Sequence, residues 1–307
     1  MPIYHLYQVD AFTKEKFTGN PAGVVANADG LTEKQMQQIA REMNCSETAF
    51  IFAPEAVDHD VKIRFFTPTT EVPICGHATI AAMYVYAIET QVKSSRVLQK
   101  TGVGILPVDI VKEDDDYKII MTQSKPVFGM TIVGSDRTSL LSALGIDTLE
   151  LDNRCPIEIV STGHAKVMIA IKNRSLLNKL KPNMAVLVEL SKKIGCSGYF
   201  VFTCDTGDPE ILTHGRMFAP AIGINEDPVT GNANGPLGAY LVQHNLVKHD
   251  GTKFQFKGKQ GEAIERPGIV EVTVKIENNK AVQVQISGNA VIVFRTEIEI
   301  GALAHSI

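Results

Sequence analysis

Three landmarks recur in the same order, at almost one offset, in the two halves of this 307-residue chain. Asn44-Cys45-Ser46-Glu47-Thr48-Ala49-Phe50 precedes Arg64-Phe65-Phe66-Thr67-Pro68, after which Gly76-His77-Ala78-Thr79 opens an apolar run. Gly195-Cys196-Ser197-Gly198-Tyr199-Phe200 precedes Arg216-Met217-Phe218-Ala219-Pro220, after which Asp227-Pro228-Val229-Thr230-Gly231-Asn232-Ala233-Asn234 opens another. Cys45 and Cys196 lie 151 residues apart, and Pro68 and Pro220 lie 152 apart. A chain punctuated twice in this way is expected to form two related lobes facing one another, with any shared site between them. One core is near division at this length, and two lobes of about 120 to 160 residues fit.

Short runs rich in Val, Ile, Phe and Tyr predict strands near 3–10, 22–27, 48–53, 61–67, 105–111 and 117–122 in the first half. The second half supplies 155–160, 165–171, 198–204, 212–218, 269–275, 281–287 and 290–296. Clean alternation in Val270-Glu271-Val272-Thr273-Val274 and Val282-Gln283-Val284-Gln285-Ile286 indicates antiparallel strands with one wet face, and the pattern is not read as a βαβ chain. Helices are expected over 32–43, opened by a capping box at Thr32-Glu33-Lys34-Gln35, over 77–91 and 235–246, and near 137–144. The runs at 77–91 and 235–246 carry little charge for their length, so each belongs inside a sheet-lined lobe. The fold class is therefore α+β. The first lobe is expected over 1–124, with residues from about 294 to 307 returning to it, and the second over 125–293. Asp114-Asp115-Asp116 reads as a solvated hairpin turn, and Lys248 to Gly268 as a polar hairpin region.

Bulk properties exclude several classes. With 44% hydrophobic and 21% charged residues and a formal charge of -4, the chain offers no basic tract for nucleic acid and no basic amphipathic helix for a membrane surface. The start, Met1-Pro2-Ile3-Tyr4-His5, reads as a strand with no leader, and no apolar stretch reaches spanning length, so a cytoplasmic protein is expected. Five cysteines at irregular spacing outline neither a disulfide framework nor a CxxC metal site. A small polar substrate is the default partner.

At Asn20-Pro21-Ala22-Gly23-Val24, Cys45-Ser46-Glu47-Thr48-Ala49-Phe50, Phe66-Thr67-Pro68, Gly76-His77-Ala78-Thr79 and Glu226-Asp227-Pro228-Val229-Thr230-Gly231, the chain resembles the PhzF-like phenazine-biosynthesis family. The similarity runs from the first strand to Gly288-Asn289-Ala290. The resemblance implies a diaminopimelate-epimerase-like fold: two lobes, each a mixed β-barrel around a central helix, with the site in the cleft. It also implies an isomerase that works without cofactor or metal on a small carboxylated metabolite, dihydro-3-hydroxyanthranilate in the best understood member, and a homodimer. In that member a glutamate moves the proton, helped by a histidine and an aspartate, which fall here on Glu47, His77 and Asp227. Where that isomerase has a Gly-Ser sequence, this chain has Gly231-Asn232, which keeps a donor and adds bulk.

The residues themselves suit that chemistry. Apolar neighbours at Ala49, Phe50, Ile51 and Phe52 favour a Glu47 carboxyl able to act as both base and acid, the alternative being an exposed or capping glutamate. His77 starts a helix beside Gly76, where orphan N–H groups and the positive helix end favour a substrate carboxylate or an enolate, unless His77 is only a cap. Thr230, Gly231 and Asn232 offer the matching start in the second lobe. Asp227 either assists Glu47 and His77 or ties its loop to backbone amides. Asn20, Pro21 and Ala22 are expected to form a site-facing turn. Cys75 adjoins the first helix start, but the segment from Asp227 to Asn234 holds no cysteine, which disfavours the two-thiol chemistry of cofactor-independent racemases that share the fold. An epimerase or racemase built on Glu47, and a metabolite-binding protein without catalysis, remain the rival readings.

Overall fold

The computed structural model describes residues 1–301 and is a mixed α/β molecule. In chain order its elements are β1 (Ile3–Ala11), β2 (Asn20–Val25), α1 (Glu33–Met43), β3 (Thr48–Phe52), β4 (Val61–Phe66), β5 (Glu71–Val72), α2 (Gly76–Thr90), β6 (Ser95–Thr101), β7 (Gly104–Glu113), β8 (Asp116–Thr122) and β9 (Val127–Thr131). There follow α3 (Gly134–Leu144), β10 (Glu158–Ser161), β11 (Lys166–Ala170), α4 (Arg174–Lys179), α5 (Met184–Ile194), β12 (Tyr199–Thr203), β13 (Thr213–Ala219), β14 (Ile224–Asp227) and α6 (Gly231–Gln243). The remaining strands are β15 (Lys253–Gln260), β16 (Gly268–Glu277), β17 (Lys280–Gly288) and β18 (Ala290–Glu299). The chain divides into two compact units, one of Met1–Met121 with the chain from Gly288 onward, the other of Thr122–Ser287. Residues 302–307, the tail of the expected C-terminal return, lie outside the described residues.

In the first unit β1 pairs antiparallel with β2 on one side and with β18 on the other. β2 then lies parallel to β3, joined through α1, and β4 lies parallel to β6, joined through α2. These helical crossovers overturn the expectation of a chain without βαβ units. Strand alternation reports which face is wet, but it does not report the direction of the neighbouring strand. The α1 start is the expected capping box: Gln35 N–H donates to Thr32 Oγ1 at 3.3 Å, and Thr32 N–H donates to Gln35 Oε1 at 2.9 Å. α1 ends on Asn44 in the left-handed conformation (φ 51°), which turns the chain sharply into Cys45-Ser46-Glu47. α2 is buried at ten positions, His77 through Val85 and Ala87, because its apolar side chains point to every side and leave water only if sheet covers the helix all round. Asp114 turns the hairpin from β7 to β8 as expected, but Asp116 belongs to β8 and accepts the Tyr84 hydroxyl at 2.8 Å.

The second unit runs β11 parallel to β12 through α4 and α5, and β13 parallel to β15 through β14 and α6. Antiparallel pairs β12–β13, β15–β16 and β16–β17 complete the sheet around α6. α4 and α5 fall where no element is expected from the sequence. Asn173 and Asn183 cap their N-termini, and Gly195 (φ 67°) ends α5 as Asn44 ends α1. Lys248–Gly268, expected as a polar hairpin, instead contributes the single strand β15. Phe254, Phe256, Gly258 and Gln260 alternate inward there and outvote the lysines between them.

α6 begins at Gly231, four residues before the expected start at 235. Gly231-Asn232-Ala233-Asn234-Gly235-Pro236 is loop-like by propensity, yet its small residues let the helix press on the sheet. A side chain at Gly238 would meet Val272 Cγ1 and Val274 Cγ2, each at 2.8 Å, and both methyl groups sit close to the β16 backbone. Gly238→Ala is therefore expected to lower stability by about 1–3 kcal/mol in urea unfolding despite alanine's better helix propensity.

Candidate active site

Within the first unit the helix–cap–strand turn at Asn44 delivers Ser46 and Glu47 to the start of α2. Glu47 precedes β3, and its carbonyl accepts Gly23 N–H of β2 at 3.1 Å. A side chain at Gly23 would lie 2.6 Å from Thr48 Oγ1, so glycine is what lets the two parallel strands close beside Glu47. The Glu47 side chain is 13% exposed, and its Oε2 lies 3.3 Å from His77 Nε2. That oxygen makes no hydrogen bond. Ser46 Oγ lies 3.1 Å from the same ring nitrogen, and Cys75 Sγ lies 3.4 Å from Nδ1 on the other side of the ring.

The three possible ligand atoms of Glu47, Cys75 and His77 fall within 4.8 Å of one another, the spread of a metal site. Their arrangement around the imidazole speaks for a different use. The thiol faces Nδ1 and the carboxylate faces Nε2. The ring thus bridges the two instead of joining them around one ion with a single nitrogen. Asn20 and Ala22 are buried nearby in sequence register, but not in a turn: Asn20, Pro21 and Ala22 belong to β2, with Pro21 opposite Asp10. Pro21 is tolerated because the parallel ladder with β3 begins only at Gly23.

The second unit gathers the other expected residues at the start of α6. Asp227 Oδ2 accepts the Thr230 hydroxyl in a very short contact. Gln260, 1% exposed, holds this turn by donating to the Asp227 carbonyl at 2.8 Å and accepting Thr230 N–H at 3.1 Å. Asn232 Oδ1 accepts from Gln123 Nε2 at 2.8 Å, which directs the Asn232 amide nitrogen away as a donor. Sequence reasoning did not find Ser46 as a partner of His77, nor Gln123, Gln260 and Lys166. Single glutamines carry no motif, and only their pairing in space marks them.

His214 lies in β13. It is 2% exposed, its Nδ1 lies 2.7 Å from Glu262, and burial lowers its pKa. His164 is exposed in the turn before β11, where partial desolvation and the charge of Lys166 both lower its pKa. Cys45 and Cys196 are buried packing residues, and no disulfide joins the five cysteines. A cavity of about 870 Å³ in the first unit is lined by Glu33, Gln37, Arg41, Phe66, Thr69 and Glu71, and no candidate residue lines it. Among the described residues no helix is long and apolar enough to cross a membrane.

The profile of the phenazine biosynthesis-like protein family, PhzC-PhzF, matches residues 9–296. An uncharacterised isomerase of Clostridium acetobutylicum is 63% identical over 295 residues, covering 96% of this chain and 98% of that protein. The trans-2,3-dihydro-3-hydroxyanthranilate isomerase of Pseudomonas chlororaphis is 31% identical over 289 residues, covering 94% and 97%. The crystal structure of a PhzF-family phenazine biosynthesis protein from Bacillus anthracis superposes with a TM-score of 0.87 at 34% identity, covering 98% of this chain and all of that one. The chain belongs to the PhzC-PhzF family of phenazine biosynthesis-like proteins. It is an isomerase, the class to which both relatives belong by name.

Proposed function

We propose that the protein is a cofactor-independent isomerase that relocates a proton, and with it a double bond, in a small carboxylated metabolite. Glu47 takes the proton from one carbon and returns it to another, and His77 stabilises the charge that develops between. The observation that carries this reading is the Glu47 Oε2 atom: shielded from solvent, 3.3 Å from an imidazole nitrogen, and not committed to any hydrogen bond. The two series of strand pairings, β2–β3–β4–β6 in one unit and β11–β12–β13–β15 in the other, run in the same parallel and antiparallel order. That order supports two pseudo-repeated lobes, each a mixed β-barrel around its helix, α2 or α6, with the chain passing from one to the other near residue 124.

The repeat also supports one base over two. Aligned by their Cys-Ser pairs, Glu47 in one unit stands where Gly198 stands in the other. A side chain at Gly198 would meet Met217 Cε at 2.4 Å and the Phe218 carbonyl at 2.8 Å. Aligned by their helix starts, Cys75 stands where Thr230 stands. Neither a second carboxyl nor a second thiol answers the first. An inverting racemase needs acid and base on opposite faces of one carbon, whereas a proton carried along one face needs a single group.

The test of the thiol is Cys75→Ser. The variant is expected to retain substrate-dependent deuterium uptake from D2O within about tenfold of the parent, since a group that assists through the histidine contributes less than the acid/base itself. Loss of all uptake in Cys75→Ser, with inversion at a chiral carbon in the parent, would move the assignment to thiol-based epimerisation.

A further inference from the structure

Lys166, the first residue of β11, is 4% exposed. Among the described residues its ammonium makes neither a hydrogen bond nor an ion pair, although lysines this deeply buried are ordinarily paired. The turn that carries it is fastened to the start of α6. Thr162 Oγ1 donates to Gln123 Oε1 at 2.8 Å, and Gln123 Nε2 donates to the Gly231 carbonyl at 3.2 Å and to Asn232 Oδ1 at 2.8 Å. The charged and titratable groups that bear on the amine are Asp227 from β14, Cys196 ahead of β12 and His164 on its own turn. Desolvation outweighs the attraction of Asp227 and pushes the amine down to about 8. At the start of α6 the first amides to reach a carbonyl are those of Ala233 and Asn234, both to Thr230. The N–H groups of Gly231 and Asn232 are therefore open to a ligand.

We infer that Lys166 and the first turn of α6 form a receiving site for a small carboxylate, with Lys166 as the group that selects for that charge. The inference rests on the isomerase reading for its choice of a small carboxylate. A desolvated cation is costly to keep unless a counter-charge arrives, and the Asp227 carboxylate is already engaged by the Thr230 hydroxyl. An incoming carboxylate would meet the negative field of Asp227 at this place. A cation beside it is what makes the approach favourable.

Trace acylation by acetic anhydride, read at the Lys166 peptide by mass spectrometry from pH 6 to 10, tests the site. Benzoate and 2-aminobenzoate are compared with benzamide and 2-aminobenzamide at equal millimolar concentration. The carboxylates are expected to slow acylation of Lys166 by about tenfold near pH 8 and to raise its midpoint, because a close opposite charge favours the ammonium. The amides should leave it unchanged, with exposed Lys193 as the internal reference. Equal rates with carboxylate and with its paired amide would overturn the inference.

Lys166→Met gives an independent measure. An amine that falls from an ordinary 10.5 to about 8 on folding makes the folded state weaker below 8, where both states hold the proton. Stability is recovered as pH rises from about 8 to 10.5, where only the unfolded chain still binds it. At pH 7 Lys166→Met should therefore melt above the parent, with the gap closing by pH 10, and carboxylates should raise the parent's midpoint but not the variant's. An equal carboxylate-induced rise in both proteins would sink the assignment. Glu47→Gln separates the two readings: if deuterium uptake does not depend on Glu47 while carboxylates still protect Lys166, the assignment of Glu47 as acid/base fails and the receiving site stands.

Discussion

Glu47→Gln is expected to reduce substrate-dependent deuterium uptake by two to four orders of magnitude, the usual contribution of a positioned acid/base. The substitution keeps the shape of the side chain and its place before β3, so its melting temperature should match the parent's. What it removes is the capacity of one oxygen to hold and release a proton beside His77 Nε2, 3.3 Å away. The measurement is mass-resolved exchange from D2O into a panel of small cyclic and amino carboxylates, with parent and variant side by side. Uptake by the parent that survives in Glu47→Gln would end the proton-transfer role.

The second large effect concerns stability and separates two arginines that look alike in sequence. Arg64 and Arg216 each clasp a glutamate with Nε and Nη2, Glu71 and Glu226 respectively, and each lies about 5 Å from the ring two residues on, Phe66 or Phe218. Their surroundings differ. The side chains of Arg216 and Glu226 are 8% and 12% exposed, and Arg216 Nη1 also donates to the carbonyls of Leu177 and Leu180 at 2.9 Å, closing the end of α4. Arg64 and Glu71 are 23% and 39% exposed.

Arg216→Met would strand a buried carboxylate and two helix-end carbonyls, at a cost of about 3–5 kcal/mol in urea unfolding. Arg64→Met should cost under about 1 kcal/mol. Pairing Arg216→Met with Glu226→Leu should recover much of the loss, because the penalty comes from the unpaired charge more than from the missing attraction. A loss of similar size for both arginines would contradict this account.

The landmarks that recur in the sequence are those whose geometry is local. Asn44 and Gly195 both take the left-handed conformation that ends a helix before a Cys-Ser pair, and short-range sterics write that requirement into residue choice. The buried helix α2 could be read because fifteen residues with one carboxylate near the end have nowhere else to go. α6 was legible only from its middle. Its first turn is built of residues that favour loops and becomes helical because Gly238, Val272 and Val274 fit together, a contact made over more than thirty residues. Strand direction was misjudged for a related reason: β2 and β3 are parallel because α1 carries the chain back, and nothing in either strand records it. Among the candidate residues, Glu47, His77 and Asp227 announce themselves by motif. Lys166 does not, since a lysine in sequence looks solvated until the fold removes its water.

The pairing of β1 with β18 has a consequence for how the protein is made. Ile3 meets Glu299 and Ala11 meets Ala290. At about 5–20 residues per second, a ribosome finishes β18 some 15 to 60 seconds after β1 has been synthesised. Throughout that interval the β1 edge that awaits it is unpaired, a template for wrong partners. The segment from Thr122 to Ser287, by contrast, is contiguous and has all its strands in hand before β18 exists. Folding during synthesis is thus expected to run against the order of the chain, with the second unit complete first and the N-terminal unit sealed last. A nascent chain halted before residue 290 should bury the second unit's amides while leaving those of β1 that face β18 open to hydrogen exchange.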